Sequence, residues 1–82
     1  MSVVTLYGRP GCHLCVEARE SLERVQTRAP FVLHEVNIEL DDALHKRYLE
    51  RIPVVSIGGE DLFDYEVDED ALVRLILYRE GR

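Results

Sequence analysis

The chain has 82 residues, 46% hydrophobic and 32% charged, with a formal net charge of −6. So short a chain buries one modest core, so a single domain over residues 1–82 is expected and any function must sit on that one scaffold. The composition is that of an ordinary soluble globular protein; no stretch approaches the roughly 18 apolar residues of a membrane span, and an acidic balance with scattered Lys and Arg argues against nucleic acid.

The first residues, "MSVVTLYG", show neither a basic n-region nor a cleavable apolar stretch, so a reducing cytoplasmic location is expected. Val3 to Tyr7, β-branched and aromatic, reads as a short buried strand that stops at Gly8. After the turn made by Pro10 and Gly11 the period changes. Cys15, Ala18, Leu22 and Val25 recur at spacings of three and four, which predicts an amphipathic helix from about residue 13 to residue 28, ended before Pro30.

Phe31 to Ile38 reads as a second strand and Asp41 to Glu50 as a short helix, capped by Asp41 or Asp42, with Leu44 and Tyr48 as an inward pair. Ile52 to Ile57 is a third strand. Gly58 and Gly59 turn it into "DLFDY" as a hairpin, and Asp68 caps a last helix whose Leu72, Leu75 and Ile76 face inward. Seven acidic residues lie between Glu60 and Asp70, either a solvated loop and helix start or a face that selects basic partners. The resulting order, β-α-β-α-β-β-α, predicts an α/β fold: a right-handed parallel crossover plus an antiparallel hairpin, in a four-stranded mixed sheet with helices on both faces.

Cys12 and Cys15, the chain's two cysteines, stand two residues apart where the first helix begins. In a reducing compartment a purely structural bridge is the weakest reading, and so short a loop staples little. A dithiol that carries electrons needs two sulfurs near enough to bond with only one of them exposed, and a helix start meets both demands. Cys12 is then the attacking thiol. Unpaired backbone N–H groups and the helix dipole favour its thiolate, and its pKa is expected below the free value near ~8.5. Arg9 and His13, on either side of it, are further candidates for contact with the substrate and for positive charge. The Cys12 thiolate attacks a disulfide, and Cys15 resolves the mixed disulfide.

At this point the chain resembles the glutaredoxin-like members of the thioredoxin fold over nearly its whole length. The resemblance rests on element order, the CxxC at the first helix, a proline opening the third strand, and the "GCHLC" signature of small bacterial glutaredoxin-like proteins. It implies a cis proline facing the CxxC at Pro53, a residue whose backbone pairs with substrate at Ile52, and a basic residue at Arg9. The residues alone tolerate a proline at a strand's first position without setting its isomer. The chain departs from the glutathione-binding pattern in "LFDYEVDEDAL", which has no glycine between Gly59 and Gly81. Asp68 and Glu69 are acidic at about the expected place, but Phe63, Asp64 and Tyr65 make a bulkier, more negative approach.

The resemblance thus implies a thiol-disulfide oxidoreductase acting as a monomer on a disulfide-containing protein or on glutathione, with no tightly bound cofactor and glutathione as a co-substrate. Two other readings compete. One CxxC gives two soft ligands where a closed zinc site takes four, and His13, His34 and His45 are dispersed; resemblance to some glutaredoxins implies, as an alternative, a cluster shared between two chains at Cys12. The other is a non-catalytic adaptor on the same fold.

Overall fold

The computed structural model describes residues 1–81. The elements follow as β1 (Val3–Gly8), α1 (His13–Arg28), β2 (Val32–Asn37), a 3₁₀ turn (Ile38–Leu40), α2 (Asp42–Tyr48), β3 (Val54–Ile57), β4 (Glu60–Asp64) and α3 (Glu69–Glu80). The sheet runs β2-β1-β3-β4, with β1 and β2 parallel and the other two pairings antiparallel. This is the mixed four-stranded α/β arrangement that the element order implied.

Alternation along the strands divides the core in two. Val4, Leu6, Val55 and Ile57 meet Ala18, Leu22 and Val25 of α1 and Leu72, Val73 and Ile76 of α3. Tyr7 and Val54 point the other way, where Tyr48 and Leu44 of α2 pack with Ile38, Ile52 and both cysteines. The β3-β4 hairpin turns on Gly58 and Gly59, with φ of 59° and 84°. Two consecutive left-handed residues are what a two-residue hairpin turn demands, and glycine takes them without a Cβ clash.

Local hydrogen bonds set boundaries that periodicity missed. The second strand stops at Asn37, not Ile38, because the Asn37 side-chain Oδ1 accepts from the Glu39 N–H at 2.9 Å and turns the chain, leaving Ile38 fully buried. Asp41 is the cap of α2, accepting from the N–H groups of Ala43 and Leu44 at 2.9 and 3.1 Å. That helix ends at Tyr48, short of Glu50, since the Tyr48 carbonyl takes the N–H of both Arg51 and Ile52 at 2.8 and 3.0 Å. The third strand accordingly begins at Val54, two residues later than expected. Asp68 caps α3 as the sequence indicates, accepting from Ala71 N–H at 3.0 Å.

Much of the acidic run is neither freely solvated nor spare. Glu69 pairs with Arg24 at 2.8 Å and Asp70 with Arg28 at 2.7 Å, tying α3 to α1. Asp61 and Asp64 both engage Arg51.

Candidate active site

The register of the two central strands assembles the site. β1 and β3 are antiparallel with Tyr7 opposite Val54, so the C-terminal end of β1 lies beside the N-terminal end of β3. The first leads through Gly8 to the cysteines and the second is preceded by Ile52 and Pro53, which brings together segments some forty residues apart in the chain.

Cys12 is the N-cap of α1, with extended backbone at φ −89° and ψ 110°, and its Sγ accepts a hydrogen bond from the Cys15 N–H at 3.2 Å. The two residues are joined as a disulfide across a Cα–Cα distance of 5.2 Å, within the ordinary range for such a bond. Their surroundings differ. Cys15 is 7% exposed and packs among Ile38, Tyr48, Ile52 and Val54, whereas Cys12 is only partly buried at the margin of that cluster. The first turn of α1 carries no acidic residue, so nothing there offsets the positive end of the helix dipole at Cys12.

Ile52 is 8% exposed and shares the cluster with both cysteines, and its N–H is already taken by the Tyr48 carbonyl. Pro53 is fully buried, and the Ile52–Pro53 peptide is cis. The flanking charges are less closely drawn in. Arg9 is half exposed and 3.9 Å from Glu39, and His13 is turned along the helix to Glu17, its Nε2 at 2.8 Å from that carboxylate.

Four residues outside the motif shape the site. Gly8 has no side chain where one would collide: a Cβ there would lie 2.9 Å from the Cys15 Sγ. Tyr7 stacks on Tyr48 with ring centroids 4.5 Å apart, and Tyr48 donates its hydroxyl to Asp61 at 3.1 Å. Burial, and then this hydrogen bond, push the Tyr48 phenol above its ordinary pKa. Arg51 holds Asp64 through two nitrogens, and these hydrogen bonds are the leading cause that raises its own pKa. A strand-ending glycine just before a CxxC was the available signal for Gly8; the rest needed the tertiary fold.

Two open depressions flank the motif. One, of about 420 Å³, runs between α1 and the β2 edge past Cys15, Arg9 and Asn37, under the Arg19–Glu35 pair at 2.6 Å. The other, of about 240 Å³, lies between Leu14 and Glu17 of α1 and the loop Tyr65 to Val67. Among the described residues, no three or more His, Cys, Asp and Glu side chains gather as a metal would require, and no helix is long and apolar enough to cross a membrane.

Fold and site together define a thioredoxin-like protein of the glutaredoxin-like class, with a CxxC pair at the head of its first helix. Residues 3–77 match the family described as Glutaredoxin-like domain (DUF836), and the chain belongs to it. It is similar to a glutaredoxin-like protein of Dictyostelium discoideum, 30% identical over 84% of this chain and 69% of the relative. The solution structure of protein Ne2328 from Nitrosomonas europaea is 32% identical with a TM-score of 0.81, over 92% of this chain and 91% of that one. A thioredoxin-like protein, BC3987, shares the fold at 23% identity and a TM-score of 0.62, over 89% and 95% of the two chains.

Proposed function

We propose that the protein is a thiol-disulfide oxidoreductase of a reducing cytoplasm, with Cys12 as nucleophile and Cys15 as resolving thiol. The observation that carries this is the unequal burial of two sulfurs close enough to bond: one thiol at a helix N-terminus within reach of a partner, the other enclosed behind it. In the reduced protein the Cys12 thiolate attacks one sulfur of a substrate disulfide. A bond forms from Cys12 to that sulfur, and the other substrate sulfur leaves as a thiolate that takes up a proton. Cys15 then loses its proton and attacks the Cys12 sulfur, releasing the second substrate thiol and closing the Cys12–Cys15 bond. Two electrons pass to the substrate, and an external thiol, glutathione or a protein dithiol, restores the pair.

The substrate is a disulfide-containing protein or a glutathione mixed disulfide, approached by the protein as a monomer. Ile52 and Pro53 present the surface against which the substrate backbone lies, and Arg9 and His13 contribute rim contacts. The test is reduction of a model disulfide by Cys12→Ser and Cys15→Ser. Cys12→Ser should be inactive. Cys15→Ser should accumulate a mixed disulfide on Cys12, and the partner recovered there identifies the substrate. Undiminished activity in folded Cys12→Ser would sink the assignment.

A further inference from the structure

The Ile52–Pro53 turn is held through side-chain and backbone hydrogen bonds to neighbouring elements. Arg51 Nε and one of its terminal nitrogens donate to the two carboxylate oxygens of Asp64 at 2.9 and 3.1 Å, and the same terminal nitrogen reaches Asp61 at 3.2 Å. The next residue of that strand end, Tyr65, donates its N–H to the Pro53 carbonyl at 2.8 Å and its hydroxyl to the Glu50 carbonyl. Tyr65 does so with φ at 68°, a left-handed conformation that a non-glycine residue holds only when its surroundings impose it. The Arg51 guanidinium also lies 5.3 Å from the centre of the Tyr48 ring, whose hydroxyl meets the same Asp61. Residues 50, 51 and 53 are thus each fastened to the end of β4, and Ile52 to the end of α2.

We infer that Arg51 and Tyr65 are positioning residues that hold the Ile52–Pro53 turn in the form that receives an extended polypeptide disulfide. This rests on the oxidoreductase reading given above. A fork of two parallel bonds fixes orientation as well as distance, which a lysine's single point of charge does not, and a binding segment ordered beforehand spares the complex the cost of ordering it. Neither residue touches the sulfurs. Their effect belongs to substrates long enough to lie along the turn, while a small disulfide that meets only Cys12 is indifferent to them.

The test compares Arg51→Met, Arg51→Lys and Tyr65→Phe with the parent on two substrates: the disulfides of insulin, and the small aromatic disulfide dithiobis(nitrobenzoate). With folding checked by thermal melts, Arg51→Met and Tyr65→Phe should raise KM for insulin about tenfold with kcat within about twofold, while the rate with the small disulfide and the alkylation of reduced Cys12 by iodoacetamide stay within about twofold. Arg51→Lys should recover only part of the loss. Unchanged KM in a folded variant, or equal losses on both substrates, overturns the inference. A measurement independent of any activity is amide exchange: Tyr65 and Ile52 N–H should exchange faster in Arg51→Met while Val4 and Leu22 do not, and unaltered exchange at the turn counts against the inference even if the protein reduces nothing. Loss of all activity in the parent, by contrast, removes the oxidoreductase reading and leaves the exchange result standing on its own.

Discussion

Gly8 and Cys15 are in contact at a distance that admits no side chain on the first: a Cβ on Gly8 would stand 2.9 Å from Sγ and 3.2 Å from Cβ of Cys15. Gly8 is thereby a packing requirement of the buried thiol. Gly8→Ala forces the Cys15 side chain to move, and a sulfur bonded to Cys12 has less freedom to do so than a free thiol. Overpacking usually costs about 1–3 kcal/mol, and the oxidised protein should bear more of that cost than the reduced one. Urea melts of the two redox forms measure the difference. The disulfide should also become more easily reduced, by ~30 mV for each ~1.4 kcal/mol that separates the two effects. Equal losses in both forms would mean that the surroundings, and not the sulfur, absorb the methyl group.

The Cys12 thiol should ionise below the free value of ~8.5, and by more than about one pH unit, because it caps α1 where the Cys15 N–H already points at its sulfur. The rate of iodoacetamide alkylation against pH gives the midpoint. Arg9→Gln and His13→Gln should each move it by less than about half a unit. His13 is spent on Glu17 at 2.8 Å, and Arg9 lies at the rim, half exposed. A shift of a full unit in either variant would transfer the effect from the helix terminus to that side chain.

How far the sequence was legible depends on the range of the interaction. The helix over 13–28, the Gly58–Gly59 turn and the Asp68 cap follow from periodicity and local hydrogen bonding, and each appears within a residue or two of its expected place. The turn at Ile38 escaped because an Asn–Ile–Glu run reads as strand until the Asn37 side chain is seen to close on Glu39. The pairing of Cys12 with Cys15 was readable from spacing, whereas the cis state of Pro53 came only through family resemblance. Tyr7 with Tyr48 and Arg51 with Asp64 were out of reach, since nothing local to either residue names a partner 41 or 13 positions away. The acidic run was ambiguous for the same reason. Its charges serve Arg24, Arg28 and Arg51, and only the packing of α3 on α1 and of β4 beside α2 shows it.

Those α1–α3 pairs make a prediction in acid. Hydrogen bonding to Arg24 holds the Glu69 carboxyl below its ordinary value of 4.5, and hydrogen bonding to Arg28 holds Asp70 below 3.8. A carboxylate whose pKa is lower folded than unfolded stabilises the fold above its unfolded value, and that contribution disappears as pH falls through the lower folded one. Stability should therefore drop below about pH 4.5, and the drop should be shallower in Glu69→Gln/Asp70→Asn, as urea midpoints between pH 7 and pH 2.5 would record. The pairs are exposed, so the effect is small, and 1 M salt, with a Debye length of ~3 Å, should remove most of it. Identical acid slopes in the parent and the double variant at low salt would show that the pairs contribute nothing.

Tyr48 tests the other end of the pH scale and the core beneath the disulfide. Its ring is 3% exposed, stacked on Tyr7, and its hydroxyl donates to Asp61 at 3.1 Å. Tyr48→Phe keeps the stack and leaves a carboxylate oxygen without its phenol donor, which should cost about 1–2 kcal/mol; Tyr48→Ala, which also opens a cavity, should cost about 3–5 kcal/mol. The phenol's pKa is raised, first by burial and then by Asp61, so the fold favours the neutral form. For a group shifted upward, the contribution is complete below the ordinary value of 10 and is lost as pH rises through the higher folded value. Urea midpoints at pH 8 and pH 11 should consequently fall further apart in the parent than in Tyr48→Phe. Should the two proteins lose stability equally on the alkaline side, the loss belongs to other groups and Tyr48 is held by its stack alone.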